Sequence, residues 1–145
     1  MTSSSLLDVN VWLALTSSRH IHNAEAVRWW DSLGDGRVFF CRLTQLGLLR
    51  TLTTRQVMGN EVVGQSTAWA VYHRWRQDDR VGFCPEPDTP ELEKLFHRFS
   101  KGTYSSPKLW TDAYLVAFAS VAGLTLVTFD RALGAMVPER SFVIG

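Results

Sequence analysis

The sequence has little cysteine. Of its 145 residues only Cys41 and Cys84 are cysteines, and no Cys-x-x-Cys pair or cysteine–histidine cluster is present. Clustered thiolates and imidazoles are the usual ligands of structural zinc, so the sequence excludes that kind of site. Because a chain of this length buries a sufficient core without disulfide bonds, we expect two buried thiols in a reducing compartment.

Long hydrophobic runs and nucleotide-binding motifs are also missing. No segment reaches the roughly 18 apolar residues of a membrane-spanning helix, and the first residues, MTSSSLLDVN, lack the features of a signal peptide. The patterns GxGxxG, GxxxxGKS/T and GxSxG do not occur, which argues against dinucleotide-binding proteins, P-loop proteins and α/β-hydrolases. Since the sequence has no repeat or linker, we expect one domain over residues 1–145. Since it has no signal peptide and no membrane-spanning run, we expect this domain in the cytoplasm.

Lysine is scarce, with three lysines against 12 arginines among the 15 basic residues. Arginine grips phosphate through paired hydrogen bonds, so the bias favours a phosphate-containing ligand, although a GC-rich genome produces the same bias. The formal net charge of +1 neither indicates nor excludes nucleic acid. A hydrophobic fraction of 46%, with six Trp and eight Phe, is typical of a globular domain with large side chains in its core.

The apolar pattern predicts strands and helices in alternation. Strands are predicted at residues 5–8, 37–40, 81–84, 124–129 and 142–144. Helices are predicted from about residue 10, over 23–33, from Thr44 as an N-cap, and over 65–77, 90–100, 108–122 and 131–136. This order predicts an α/β fold with a mostly parallel central sheet and helices on both faces. Ligands of such sheets bind beyond the carboxyl ends of the strands.

Three aspartates occupy positions that suit a metal site. Asp8 and Asp130 each follow an apolar run directly, which places both at the carboxyl ends of predicted strands. Asp112 lies in the first turns of a long predicted helix and leads an apolar, core-facing stripe that includes Leu115 and Val116. Neighbouring carboxylates repel one another unless a cation neutralises them, and Mg²⁺ or Mn²⁺ prefers oxygen ligands. The three acids therefore predict a metal site for phosphodiester hydrolysis.

Each aspartate also has a purely structural explanation. Asp8 and Asp130 precede predicted helices and would serve as their N-caps. Asp112 would be a favourable negative charge near the N-terminus of its own helix. The functional interpretation depends on all three acids occurring together, each where this fold places a ligand site.

Several segments resemble the signature blocks of PIN domains. These blocks are LLDVNV (6–11), TDAYL (111–115) and LVTFDRAL (126–133). Two further segments, HNAEAVRWW (22–30) and LTQLGLLR (43–50), resemble the blocks between them. All five occur in family order, and together the chain resembles the VapC-type ribonuclease toxins of bacterial toxin–antitoxin pairs.

The resemblance implies a PIN-like fold and a metal-dependent endoribonuclease toxin that cleaves RNA phosphodiester bonds, with tRNA or rRNA as expected substrates. It implies that Asp8, Asp112 and Asp130 are the catalytic acids and hold Mg²⁺ or Mn²⁺. Asn10 and Thr128 would supply supporting polar contacts. The resemblance further implies a homodimer and a cognate VapB-like antitoxin whose C-terminal segment blocks the active-site groove.

One position departs from the family pattern. Many PIN domains carry a fourth acid, a glutamate, at the catalytic position where this chain has Gln45. An amide offers an oxygen without charge, which predicts weaker metal binding, with one tightly bound ion and a second only together with the substrate phosphate. This leaves open the alternative of a catalytically weak or inactive protein of the same fold that binds RNA or the antitoxin.

Other side chains have less defined roles. Arg50, in a family block, and Arg42 are candidates for binding RNA or the antitoxin, although a solvated surface suits Arg42 equally well. No histidine is placed to act as a general base, so metal-activated water is expected to take that role. We interpret four aromatic residues at helical spacing as core or dimer contacts rather than as groups that stack on bases. They are Trp69, Tyr72, Trp75 and Phe96.

Overall fold

A computed structural model of the protein describes residues 3–145, in which five strands alternate with helices. The strands are β1 (Ser4–Leu7), β2 (Arg37–Phe40), β3 (Val81–Phe83), β4 (Thr125–Thr128) and β5 (Ser141–Val143). The α-helices are α1 (Val9–Thr16), α2 (Asn23–Asp31), α3 (Arg42–Leu52), α4 (Arg55–Met58), α5 (Gln65–Arg76), α6 (Pro90–Ser100), α7 (Leu109–Ala122) and α8 (Arg131–Met136). Two short 3₁₀ helices cover Gly59–Glu61 and Pro138–Arg140.

The five strands form one sheet in the order β3-β2-β1-β4-β5, and every neighbouring pair is parallel. The predicted α/β fold is confirmed, and the sheet is parallel throughout. The chain runs outward from β1 to β3 on one side, then returns to place β4 on the other side of β1. The strand order therefore reverses at β1, and the crevice beyond its carboxyl end is where such sheets bind ligands.

The core lies on both faces of the sheet because successive residues of a strand point to opposite sides. Leu7 and Val127 pack into a cluster with α1, α3 and α5. Leu6 and Leu126 pack into a second cluster with α6, α7 and α8. The expectation of helices on both faces is thus confirmed. Within residues 3–145, no helix is long and apolar enough to cross a membrane.

Trp12 lies at the centre of the first cluster and is fully buried. Its ring stacks on Phe40, with centroids 3.9 Å apart and planes 9° from parallel. Trp75 meets the same ring edge-on at 5.4 Å, and Trp30 lies at 6.3 Å. Tyr72 packs against Phe40 at 4.9 Å. The interpretation of Tyr72 and Trp75 as core residues is confirmed.

One local prediction was wrong, and one short helix was missed. The helix predicted to begin after Thr44 begins at Arg42, and Cys41 is its N-cap. Thr44 lies in the first turn, where its hydroxyl accepts the backbone N–H of Cys41 at 3.0 Å, as in a capping box. Helix α4 was not predicted, because none of its residues is buried and its sequence carries no apolar period.

Helix α3 approaches α1 closely because residue 47 is glycine. A Cβ atom at Gly47 would lie 2.4 Å from Cγ2 of Val9, a distance that packed carbon atoms do not tolerate. The two helices pack directly, with the start of α1 against the middle of α3. This contact brings the face of α3 beside the residue that follows β1, which is Asp8.

Candidate active site

A cavity of about 290 Å³ lies beyond the carboxyl ends of β1 and β4. It is bounded by the first residues of α1 and α7, one face of α3, and the residue preceding α8. The side chains and backbone that line it are Asp8, Val9, Asn10, Leu43, Gly47, Arg50, Thr51, Lys108, Thr111, Asp112, Leu115 and Asp130. The structure therefore brings the three predicted aspartates to one cavity, together with Asn10 and Arg50.

Asp8 is held at the end of β1 by two hydrogen bonds. One carboxylate oxygen accepts the backbone N–H of Val9 at 2.8 Å and so caps α1. The other accepts the hydroxyl of Thr128 at 3.0 Å. Burial raises the pKa of Asp8 above its usual value, the two hydrogen bonds lower it, and the charges of Asp112 and Asp130 raise it again.

The raised pKa of Asp8 has a measurable effect on stability. Because its folded pKa lies above its unfolded pKa, the carboxyl stabilises the fold in acid and loses that contribution as pH rises through the folded pKa. In EDTA, the Tm of Asp8→Asn relative to wild type is therefore expected to increase between about pH 4 and about pH 7. A difference that stays constant or shrinks contradicts this expectation.

Asp78 provides a control of opposite sign. Hydrogen bonds from Arg80 lower the pKa of Asp78, so its charged form stabilises the folded protein above the unfolded pKa. The Tm of Asp78→Asn relative to wild type is expected to fall as pH rises to about 4, and to stay constant over the range in which the Asp8→Asn difference grows. Both series are read from thermal unfolding followed by circular dichroism.

Thr128 links two of the acids through one buried hydroxyl. Besides donating to Asp8, it accepts the backbone N–H of Asp130 at 3.0 Å. Asp130 in turn caps α8, because one of its carboxylate oxygens accepts the N–H groups of Ala132 at 2.9 Å and Leu133 at 3.2 Å. The structural and functional explanations of Asp8 and Asp130 are thus compatible, since each carboxylate caps a helix and also faces the cavity.

Lys108 is a site residue that the sequence reasoning missed. Its ammonium lies 2.6 Å from a carboxylate oxygen of Asp130 and 3.5 Å from one of Asp112. The hydrogen bond from Lys108 lowers the pKa of Asp130, whereas burial raises the pKa of Asp112. The sequence did contain a signal for this role. A lysine at a helix N-terminus is disfavoured by the helix dipole unless acidic side chains neutralise it, and Lys108 lies four residues before Asp112.

The acidic residues fit a divalent cation that keeps part of its water shell. Within the described part of the chain, no three His, Cys, Asp or Glu side chains are gathered closely enough to hold a metal alone. The Lys108 ammonium, however, already lies between Asp112 and Asp130, as a stand-in cation shared by two carboxylates. Hard oxygen donors on one cavity wall suit Mg²⁺ or Mn²⁺, which retain several waters.

Gln45 and Arg42 lie away from this cavity. Gln45 is buried, and its side-chain oxygen accepts a hydrogen bond from Arg42 at 2.5 Å. The Arg42 guanidinium lies over the ring of Phe83, 4.7 Å from its centroid. The residues of α3 that line the cavity share one face of the helix, and they are Leu43, Gly47, Arg50 and Thr51. Position 45 lies on a different face. The structure therefore does not bring Gln45 into contact with the three acids.

Comparison with known proteins identifies relatives over nearly the whole chain. The sequence matches the PIN domain family over residues 5–136. It is 42% identical to ribonuclease VapC41 of Mycobacterium tuberculosis over 132 residues, which span 88% of this chain and 89% of that protein. Its identity to ribonuclease VapC39 of the same species is 32% over 130 residues, which span 90% and 91% of the two proteins.

A solved structure supports the same fold. VapBC2 from Rickettsia felis, bound to a DNA fragment from its promoter, includes a chain that superposes with a TM-score of 0.69. The superposition covers 98% of this chain and 99% of that chain, at 9% sequence identity. Similarity at such low identity concerns the fold alone.

Proposed function

Because the chain belongs to the PIN-domain family, we propose that it is a metal-dependent endoribonuclease that cleaves RNA phosphodiester bonds, with tRNA or rRNA as substrate. The observation that carries the proposal is the meeting of Asp8, Asp112 and Asp130 in one cavity at the reversal point of the sheet. The printed names of the two mycobacterial relatives, both ribonucleases, agree with it.

Mg²⁺ or Mn²⁺ is the proposed cofactor, held by Asp8, Asp112 and Asp130. When bound, such a cation supplies activation of water and neutralisation of charge developing on the phosphate. No histidine in residues 3–145 lines the cavity, so no imidazole is available there as a base. The chemistry therefore depends on carboxylates and on the ion they hold.

The residues around the three acids orient Asp8 and position the substrate. Thr128 fixes the orientation of Asp8 and is not free to contact RNA, because it is buried and bonded on both sides. Arg50 and Lys108 supply the positive charges of the cavity, and each suits a phosphate oxygen. The amide of Asn10 is exposed at the rim, where it can donate to the phosphate or the ribose.

The proposal is tested by incubating the purified protein with cellular tRNA and rRNA in Mg²⁺, in Mn²⁺ and in EDTA. Discrete fragments that disappear in EDTA are the expected result. Absence of cleavage with either ion, from folded protein, favours the second candidate, a binding protein without catalysis. The neutral Gln45 in place of the family's glutamate is the observation that supports this second candidate.

Lys108 and a metal ion compete for the same carboxylates, and this competition is measurable. Lys108→Met is expected to tighten Mn²⁺ binding about 1.4- to fivefold, because an exposed ion pair is worth roughly 0.2–1 kcal/mol. Lys94→Met is the matched control, since Lys94 pairs with Glu91 at 3.4 Å on α6, outside the cavity. Isothermal titration calorimetry measures the dissociation constant of Mn²⁺ for both variants and for the wild-type protein. Weaker binding by Lys108→Met contradicts the competition.

We further propose a homodimer and a VapB-like antitoxin as partners in the cytoplasm. A groove between α3 and α5 is lined by Leu46, Leu49 and Trp69, and Arg50 lines both this groove and the acidic cavity. Leu46 and Trp69 are exposed in the monomer, as expected of a surface that a protein partner covers. Light scattering of the protein alone and with its antitoxin measures both assemblies.

A further inference from the structure

Two aromatic side chains are exposed on the segment that enters α7. Tyr104 is 68% exposed and Trp110 is 60% exposed. Both line a cavity of about 320 Å³ that is distinct from the acidic one and is otherwise formed by residues 100–109. Large aromatic rings are costly to leave in water, so two of them on one short segment need an explanation.

Both rings are supported from one side. Trp110 packs edge-to-face on Phe96, with centroids 6.3 Å apart, and Phe96 packs in the same way on Tyr114 at 5.9 Å. Tyr104 lies against the backbone of Gly102, where an added Cβ would come within 2.7 Å of a Tyr104 ring carbon. The rings are therefore positioned in the free protein, which lowers the entropy lost when a flat ligand stacks on them.

The charge of this region matches a polyanion. All three lysines of the chain lie between residues 94 and 108, and residues 94–111 contain no Asp or Glu. Lys94 pairs with Glu91, and Lys108 pairs with Asp112 and Asp130, which all lie outside the stretch. Arg98 and Lys101 are the cations of the stretch that form no ion pair within the described residues. Basic side chains interleaved with exposed aromatic rings are typical of surfaces that bind single-stranded nucleic acid, where bases stack and phosphates are neutralised.

The aromatic cavity adjoins the acidic one through the first turn of α7. Pro107, Leu109 and Trp110 line the aromatic cavity, whereas Lys108, Thr111 and Asp112 line the acidic cavity. The two sets alternate along one turn, so the cavities share a wall. Because the two sets of residues lie on opposite faces of the turn, a strand whose phosphate lies at the acids would cross this wall before its next nucleotides reached the two rings.

We propose that Tyr104 and Trp110 form a stacking platform for unpaired RNA bases next to the cleaved phosphate, an inference that rests on the proposed ribonuclease function. The platform selects RNA that is single-stranded at this position, because a base within a duplex is not free to stack on a protein ring. Protein partners are the competing occupants, but they account for neither the acid-free stretch nor the wall shared with the acidic cavity.

The test measures binding apart from cleavage. Asp8→Asn protein is titrated into fluorescein-labelled single-stranded RNA of about 12 nucleotides, and Kd is read from anisotropy. Adding Trp110→Ala is expected to raise Kd by about 5- to 150-fold, since stacking of one base on an aromatic ring is worth that factor. Trp110→Phe is expected to retain most of the affinity. Phe142→Ala, which removes the 49% exposed phenylalanine of β5, is expected to leave Kd unchanged.

A second arm separates this inference from the proposed function. In protein that retains Asp8, Trp110→Ala is expected to raise KM for RNA cleavage more than it lowers kcat. If the wild-type protein cleaves RNA but Trp110→Ala leaves the Kd for RNA unchanged, the stacking platform is overturned and the ribonuclease function stands. Trp110-dependent binding without any cleavage overturns the ribonuclease and leaves the platform. Equal losses for Phe142→Ala and Trp110→Ala, or a Trp110→Ala defect confined to dimer or antitoxin binding, also overturn the platform.

Discussion

Asp8→Asn is expected to lower kcat/KM for RNA cleavage by more than about a hundredfold, because even residues that only support a metal ligand cost about 10- to 100-fold when changed. Asp8 is the most deeply buried of the three acids, and the charges of the other two both raise its pKa. Its replacement removes one charge from the proposed metal site. Cleavage of tRNA and rRNA in Mg²⁺ and in Mn²⁺, resolved on gels, measures the loss.

The fold is expected to survive this substitution. Asparagine keeps a side-chain oxygen that can accept the Val9 N–H, so the cap of α1 is retained. Asp35→Asn is the matched control, since Asp35 is an exposed acid in the turn before β2 and does not line the cavity. Cleavage by Asp8→Asn at the wild-type rate, with Mn²⁺ affinity unchanged, contradicts the assignment of Asp8 as a metal ligand.

Trp12→Ala is expected to lower the free energy of unfolding by about 3–5 kcal/mol, the usual cost of removing a large buried aromatic side chain. Domains of this kind are stable by about 5–15 kcal/mol in total, so the loss is a large fraction of the whole. The variant leaves a void against Phe40, Trp30 and Trp75, all of which contact the lost ring. Urea unfolding followed by circular dichroism measures the change.

Two further substitutions make the result specific to packing. Trp69→Ala is expected to cost clearly less than Trp12→Ala, because the Trp69 ring is already 45% exposed. Trp12→Phe is expected to cost clearly less than Trp12→Ala, because it keeps a ring on Phe40. It also removes the indole N–H of Trp12, which is buried without a hydrogen-bond partner in the described residues. Equal costs for Trp12→Ala and Trp69→Ala would contradict this account of the core.

The sequence predicted the sheet and the convergence of the acids for a simple physical reason. Buried parallel strands are continuous apolar runs, so their carboxyl ends are visible where the runs stop, at Asp8 and at Asp130. Helix α6 was equally visible, because Thr89 caps it and Pro90 opens it. These signals are local, and each depends on a few adjacent residues.

Other features depend on contacts between distant segments. Lys108 is a lone cation in sequence, and its role appears only when α7 and the end of β4 bring Asp112 and Asp130 together. Gln45 was placed by its position in a family block, but the turn of α3 directs it toward Arg42. Tyr104 and Trp110 were not singled out because no periodicity marks them, and only their exposure and shared cavity reveal them.

The hydrogen bond between Thr128 and Asp8 joins residues 120 positions apart in the chain. During synthesis, β1 and α1 leave the ribosome long before β4 exists, so Asp8 has neither its hydroxyl partner nor the charge of Asp130 beside it. The acidic site is therefore one of the last parts of the domain to assemble. A nascent or truncated chain that stops before β4 carries Asp8 and α1 but no completed site, which delays any activity until almost the whole domain has been translated.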